Sequence, residues 1–418
     1  MNAIIAYLSE YNRYLNLIGI PVILAIAWIF SHHKRNINYR LVASALGLQA
    51  VFTYLMLKTS IGIGVVTAIS CGIQYLYEYA AQGTAFVFGS LTDATGPWGL
   101  VFAIKVLPII IFFGAFMALL FHFGIIQKIV SLLGKLISPL LGTTGSETLC
   151  ALSNAFLGQT EAPLLVKNYL FGMTKSEFLV VMISGMGTIS GAILAVYASM
   201  GVAIEHLLAS SIIAVPGTIL IAKILIPETE KSIGDNLQVS LEERKGNVFE
   251  AISVGTSDGL NLMLNVAAML IAFIALIALC NGMIAGSCSY LNQWFGWNLP
   301  LINLDVIFSV IFYPLALLMG FTGSDATSVA QLLGIKVAVN EFLAYHKMIS
   351  MQLPERVQTL TTYALCGFSN FSSIGIQIGG IGALVPSKKQ WLTELGLTAV
   401  LGGVLSNLLT ALLVGLFT

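Results

Sequence analysis

Two short polar runs interrupt otherwise oily sequence. They are Asn154-Ala155-Phe156-Leu157-Gly158-Gln159-Thr160-Glu161-Ala162-Pro163 and Cys366-Gly367-Phe368-Ser369-Asn370-Phe371-Ser372-Ser373. In hydrocarbon, an unpartnered polar group costs several kcal/mol. Chains that accept such groups use them to line a cavity and hold something polar. Gln159 offers a donor and an acceptor, Thr160 a hydroxyl and Glu161 an acceptor pair. That set suits a neutral solute with amide and hydroxyl edges. The bland alternative is a capped loop with Glu161 solvated. Asn154, Thr188 and Ser190 supply oxygens beside broken backbone, as a sodium site requires. They could equally bond back within their own helices.

Glu341, in Asn340-Glu341-Phe342, could accept two hydrogen bonds from vicinal hydroxyls, as on a ribose; otherwise it is an interfacial charge. Asn370 and Ser373 could read further hydroxyls, and Phe368 could stack on a planar ring or simply pack. Asp325 fits a helix N-cap, and Lys105 and Lys336 fit side chains that snorkel to the interface. No Ser/His/Asp set, zinc spacing or phosphate loop stands out, so the sequence reads as no enzyme.

Composition says where these residues sit. The 418 residues are 57% hydrophobic and 9% charged, against about 25% charged in soluble domains. A soluble globule is excluded, and zero net charge gives no surface for nucleic acid. The five cysteines form no C-x-x-C pair and read as small buried hydrophobes. The first apolar segment is followed by His32-His33-Lys34-Arg35 rather than a small-residue cleavage site, so it reads as a retained span.

A crossing needs about 20 apolar residues. The sequence predicts an all-α polytopic membrane protein with eight transmembrane helices, over 15–30, 41–57, 101–123, 178–200, 207–226, 260–283, 358–384 and 392–417. Residues 59–88 read as a helix lying at the interface, and Gly96-Pro97-Trp98 as a turn with an interfacial aromatic. Residues 136–167, broken at 142–145 and 158–163, read as a re-entrant hairpin. Residues 306–333, broken at Gly320–Asp325, read as a second one. Residues 228–250 form a charged linker. Hairpin, broken span, whole span thus occurs twice, with Gly185-Met186-Gly187-Thr188 matching Gly367-Phe368-Ser369-Asn370. Paired glycine-interrupted segments point to a transport site. Counting crossings makes the repeats inverted. Lys34, Arg35 and Arg40 set the first loop inside. Both termini then lie outside an inner cell membrane, with Arg13, Lys58, Lys105, Lys336, Lys347 and Arg356.

Several stretches resemble the signatures of concentrative nucleoside transporters. They are Leu107-Pro108-Ile109-Ile110-Ile111-Phe112-Phe113, Gly158-Gln159-Thr160-Glu161-Ala162-Pro163, and Pro216 through Lys223 to Pro227-Glu228-Thr229-Glu230. Leu333-Gly334-Ile335-Lys336 with Asn340-Glu341-Phe342, and Tyr363 through Gly375, complete the set. The resemblance spans nearly the whole chain. It implies a homotrimeric symporter in membrane lipid that takes up nucleosides such as uridine by an elevator motion coupled to Na+, or to protons in some bacterial members. Gln159, Thr160 and Glu161 would contact the nucleobase. Glu341, Asn370 and Ser373 would hold the ribose, with Phe368 and Ile193 lining the pocket. Sodium would sit among Asn154, Thr188 and the carbonyls of Leu157 and Ile189. The implied division is scaffold and interfacial helix at 1–127, first transport repeat at 128–230, linker and scaffold span at 231–300, and second transport repeat at 301–418. Ser369 stands where the family has alanine, and Leu157 where a smaller β-branched residue is usual. A non-transporting receptor or enzyme is the alternative outside the family.

Overall fold

The computed structural model describes residues 2–93, 96, 97, 99, 101–230, 246–296 and 302–418, with backbone alone for 2–5. Trp98 and most of the charged linker lie outside the described residues. Among these residues every regular element is a helix. The N-terminal third holds α1 (Asn2–Ser9), α2 (Arg13–Ile29), α3 (Tyr39–Lys58), α4 (Ser60–Phe88), α5 (Phe102–Lys105) and α6 (Ile109–His122). The first repeat follows: α7 (Ile125–Leu141), α8 (Gly145–Asn154), α9 (Ala162–Leu165), α10 (Lys167–Leu170), α11 (Lys175–Gly187), α12 (Gly191–Ser199) and α13 (Ile204–Leu225). After α14 (Val248–Phe295) comes the second: α15 (Leu304–Leu318), α16 (Gly323–Ala338), α17 (Glu341–Ser350), α18 (Glu355–Leu365), α19 (Phe371–Leu384) and α20 (Lys389–Phe417).

Among the described residues, eight helical stretches are long and apolar enough to cross a membrane. All but one coincide with expected spans. The exception is Ser60–Thr92, which contains α4. The expected span at 358–384 is instead split into α18 and α19, each short. The interruption at Cys366–Asn370 is thus real, and its backbone needs partners other than the next helical turn.

The two halves repeat element by element. Each has a helix (α7, α15), a bend, a re-entrant pair, a broken span and a whole span. The bend between α15 and α16 is 114°, where the sequence breaks at Gly320–Asp325. A further reversal follows at Val339–Asn340, between α16 and α17. That turn corresponds to the 155–161 turn of the first half. A short sequence echo marks the register: Thr144-Gly145-Ser146-Glu147 opens α8 and Thr322-Gly323-Ser324-Asp325 opens α16, with Thr144 and Thr322 as N-caps.

Packing divides the bundle. Glycines four apart, Gly255 and Gly259, bring α14 against Gly114 and Ala118 of α6. A Cβ on Gly255 would lie 2.5 Å from Ala118 Cβ, and one on Gly114 would lie 2.6 Å from Gly255 O. This is the small-residue contact that lets membrane helices approach closely. The helices α2 and α3 pack instead on α13 and α20. Gln49 Nε2 donates to Thr410 Oγ1 at 3.1 Å, and Gly217 leaves room for Gln49.

Candidate functional site

In the first half, α8 ends at Asn154 and the chain turns through Gly158-Gln159-Thr160-Glu161. Thr188 lies in the break between α11 and α12. Its hydroxyl donates at 2.8 Å either to the Asn154 carbonyl or to the Ser184 carbonyl. Asn154 Nδ2 donates to Ser184 Oγ at 2.9 Å, and among the described residues Asn154 Oδ1 is buried without a donor. An orphaned carboxamide oxygen beside a hydroxyl and unwound carbonyls is a hard-cation donor set. Among the described residues no group of three His, Cys, Asp or Glu could hold a metal ion. Leu157 and Ile189 are buried beside these groups in the turn and the break. Gly191 N donates to Phe156 O at 3.0 Å, which ties the turn to the break. Glu161 is exposed, and its Oε2 accepts from Gly158 N at 3.1 Å.

In the second half, the Val339–Asn340 turn delivers Glu341. Its side chain is only 4% exposed. Tyr197 OH donates to Oε1 at 2.7 Å and Asn370 Nδ2 to Oε2 at 2.9 Å. The Asn370 oxygen caps α19, accepting from Ser373 N at 3.0 Å. The carboxylate therefore lies against the N-terminal ends of two helices, where negative charge is favoured. Each of its oxygens keeps lone-pair capacity.

The halves meet along one face of α19. Ser373, Gln377 and Gly380 follow helical spacing there. Gln159 Nε2 lies 3.4 Å from Ser373 Oγ, and Gln377 Nε2 donates to Gln159 Oε1 at 3.2 Å. Thr160 packs on Gly380, where a Cβ would lie 2.3 Å from Thr160 Cγ2. Phe368 N reaches Thr188 O at 3.4 Å, joining the two breaks. Ile193 is buried in the first turn of α12, behind Ser190, which caps its N–H.

Beneath this face, Asn407 of α20 holds both broken spans. Its Nδ2 donates at 2.8 Å to Gly187 O, ending α11, and at 2.8 Å to Cys366 O, just past α18. Its Oδ1 accepts from Lys336 Nζ at 2.7 Å and Ser369 Oγ at 3.1 Å. Spacing alone sends Lys336 to the interface, yet the structure leaves it 1% exposed and donating to Ala364 O at 2.8 Å. The Lys336 amine can be sunk so deep because a helix-end carbonyl and an amide oxygen replace its water.

The structure thus joins Gln159 to Ser373, Glu341 to Asn370, Asn370 to Ser373, and Asn154 to Thr188. It gives Thr160, Ile193 and Phe368 packing or backbone roles at the same place. Tyr197, Gln377, Ser184 and Asn407 were invisible to the spacing argument. The signal for Asn407 was a lone amide inside an apolar span, and that for Gln377 was its place four residues past Ser373. A cavity of about 670 Å³ lies elsewhere, among Asn36, Thr143, Glu147, Lys223 and Glu228. It shares none of these residues and is built around a Lys223–Glu147 ion pair at 2.8 Å.

Comparison with known proteins now adds to this geometry. A family profile described as Na+ dependent nucleoside transporter C-terminus matches residues 206–415, and its N-terminus counterpart matches 18–91. A Gate profile described as nucleoside recognition matches 103–203. An uncharacterized transporter of Haemophilus influenzae is 40% identical over 410 residues, covering 96% of this chain and 97% of its own. The nucleoside permease NupC of Helicobacter pylori is 39% identical over 418 residues, covering 97% and 98%. A solved structure described as CNTnw in an inward-facing substrate-bound state superposes with a TM-score of 0.90 at 37% identity, covering 97% of each chain. Another structure of that protein is described as outward-facing.

Proposed function

The chain belongs to the Na+ dependent nucleoside transporter family, and from that premise we propose that it is a sodium-coupled nucleoside symporter working by an elevator motion. The observation that carries this reading is the convergence of one turn and one helix break from each half on α19. In this reading Gln159, Thr160 and Glu161 meet the nucleobase. Glu341, Asn370 and Ser373 hold the ribose hydroxyls, and Phe368 and Ile193 form the pocket wall. Sodium sits at Asn154 and Thr188 with the Leu157 and Ile189 carbonyls. The orphaned Asn154 oxygen supports that position. Neither side chain titrates, which favours sodium over a proton.

Sodium would order the turn that carries Gln159 and so raise nucleoside affinity. Linkage requires nucleoside to raise sodium affinity by the same factor. The packing supports a moving body that includes α2 and α3, which are fastened to α13 and α20, and a stationary one built on α6 and α14. The sequence expectation places residues 1–127, and so α2 and α3, in the scaffold instead. The exposed length of α14 suits a trimer axis, α4 lies along the interface, and both termini face outward from the inner membrane. Radiolabelled uridine uptake into proteoliposomes tests the central claim. Uptake should rise with an inward sodium gradient at fixed pH. Uptake indifferent to sodium but driven by a proton gradient would replace sodium with the proton.

A further inference from the structure

Gln377 decides which way Gln159 faces. Met182 O is an acceptor only, and the Gln377 amide lies 2.9 Å from it. The Gln377 atom at that contact must therefore be Nε2, because two carbonyl oxygens there would repel. The same nitrogen lies 3.2 Å from the Gln159 side chain, so the atom Gln159 offers must be Oε1. That turns Gln159 Nε2 toward Ser373. Gln377 is 0% exposed, and its own Oε1 has no donor among the described residues. An apolar side chain would avoid that unpaired oxygen, so the amide serves by its donors. Gly185 makes the space: a Cβ there would lie 2.8 Å from Gln159 Cβ and 3.2 Å from Gln377 Nε2.

We propose that Gln377 is a specificity-determining positioning residue. It locks the Gln159 amide so that the turn presents an N–H donor to the ligand, which must offer an acceptor there: a carbonyl oxygen or unprotonated ring nitrogen of a nucleobase. The inference rests on the nucleoside reading above. Its test is equilibrium binding of radiolabelled uridine to the purified full-length protein, with 2′-deoxyuridine as competitor. Gln377→Met should raise the uridine Kd about tenfold and leave the uridine to 2′-deoxyuridine ratio unchanged. In a Gln159→Met background it should add nothing, because it acts through Gln159. Gln377→Leu likewise has no donors, should behave alike, and serves where the methionine variant fails to fold. Wild-type affinity in the variants, full additivity with Gln159→Met, or a shifted ribose ratio would each overturn the proposal. A wild-type chain that binds no nucleoside would overturn the underlying reading and this inference with it, a result recognised before any variant is made.

Discussion

Glu341 is a carboxylate in an oily chain, with one donor on each oxygen and lone pairs to spare. Hydrogen bonds to charged acceptors are worth about 1.5–3 kcal/mol. Glu341→Gln should therefore weaken uridine by roughly ten- to a hundredfold in Kd, while Tyr197 and Asn370 still bury the site. The check is competition by nucleosides with and without ribose hydroxyls. Equal losses for both classes would remove the ribose assignment. At this scale the sequence was legible where chemistry clashed with surroundings. Gln159, Asn370 and Ser373 stand out as polar groups among aliphatics, and the structure brings them together. Gln377 and Lys336 were not legible. Their roles depend on which helix faces which, and one-dimensional spacing does not carry that.

Among the elements, the breaks were read closely. The α11–α12 interruption falls at Thr188–Ser190 and the α18–α19 interruption at Cys366–Asn370, because glycine and capping residues mark both. The re-entrant turn of the second half was harder. Two reversals follow each other within twenty residues, and the sequence marks the first with glycines but the second only by Asn340. The Thr-Gly-Ser-acid echo would have set the register. Asn407 links the breaks, so its loss should be felt in the fold. Asn407→Leu leaves two helix-end carbonyls unpaired and takes one acceptor from Lys336, which should cost about 1–3 kcal/mol per unpaired carbonyl. Asn407→Asp keeps the acceptor for Lys336 and should cost less. Thermal unfolding of the purified variants orders them. A leucine variant as stable as the wild type would refute the linking role.

For the whole molecule, α14 is a single helix about 72 Å long at 1.5 Å per residue, joined most closely to α6 through glycines. In the proposed division the remaining helices form a second body. These meet where Phe113 of α6 shares a packed cluster with Ala192 and Ala195 of α12. If one body slides past the other, a cross-link between Phe113→Cys and Ala195→Cys should abolish uptake, and reduction should restore it. Undiminished uptake in the linked protein would exclude that sliding surface. Sequence order alone does not show this packing, because α2 and α3 precede α6 yet pack on α13 and α20.

Asn407 spends all four of its hydrogen-bonding valences on the two frayed helix ends and the groups beside them. If either end comes undone, part of that amide is left unpaired in the interior. The two breaks are thus tied at one point on α20. Under the proposed elevator motion, a site knotted together at one such point would be carried whole.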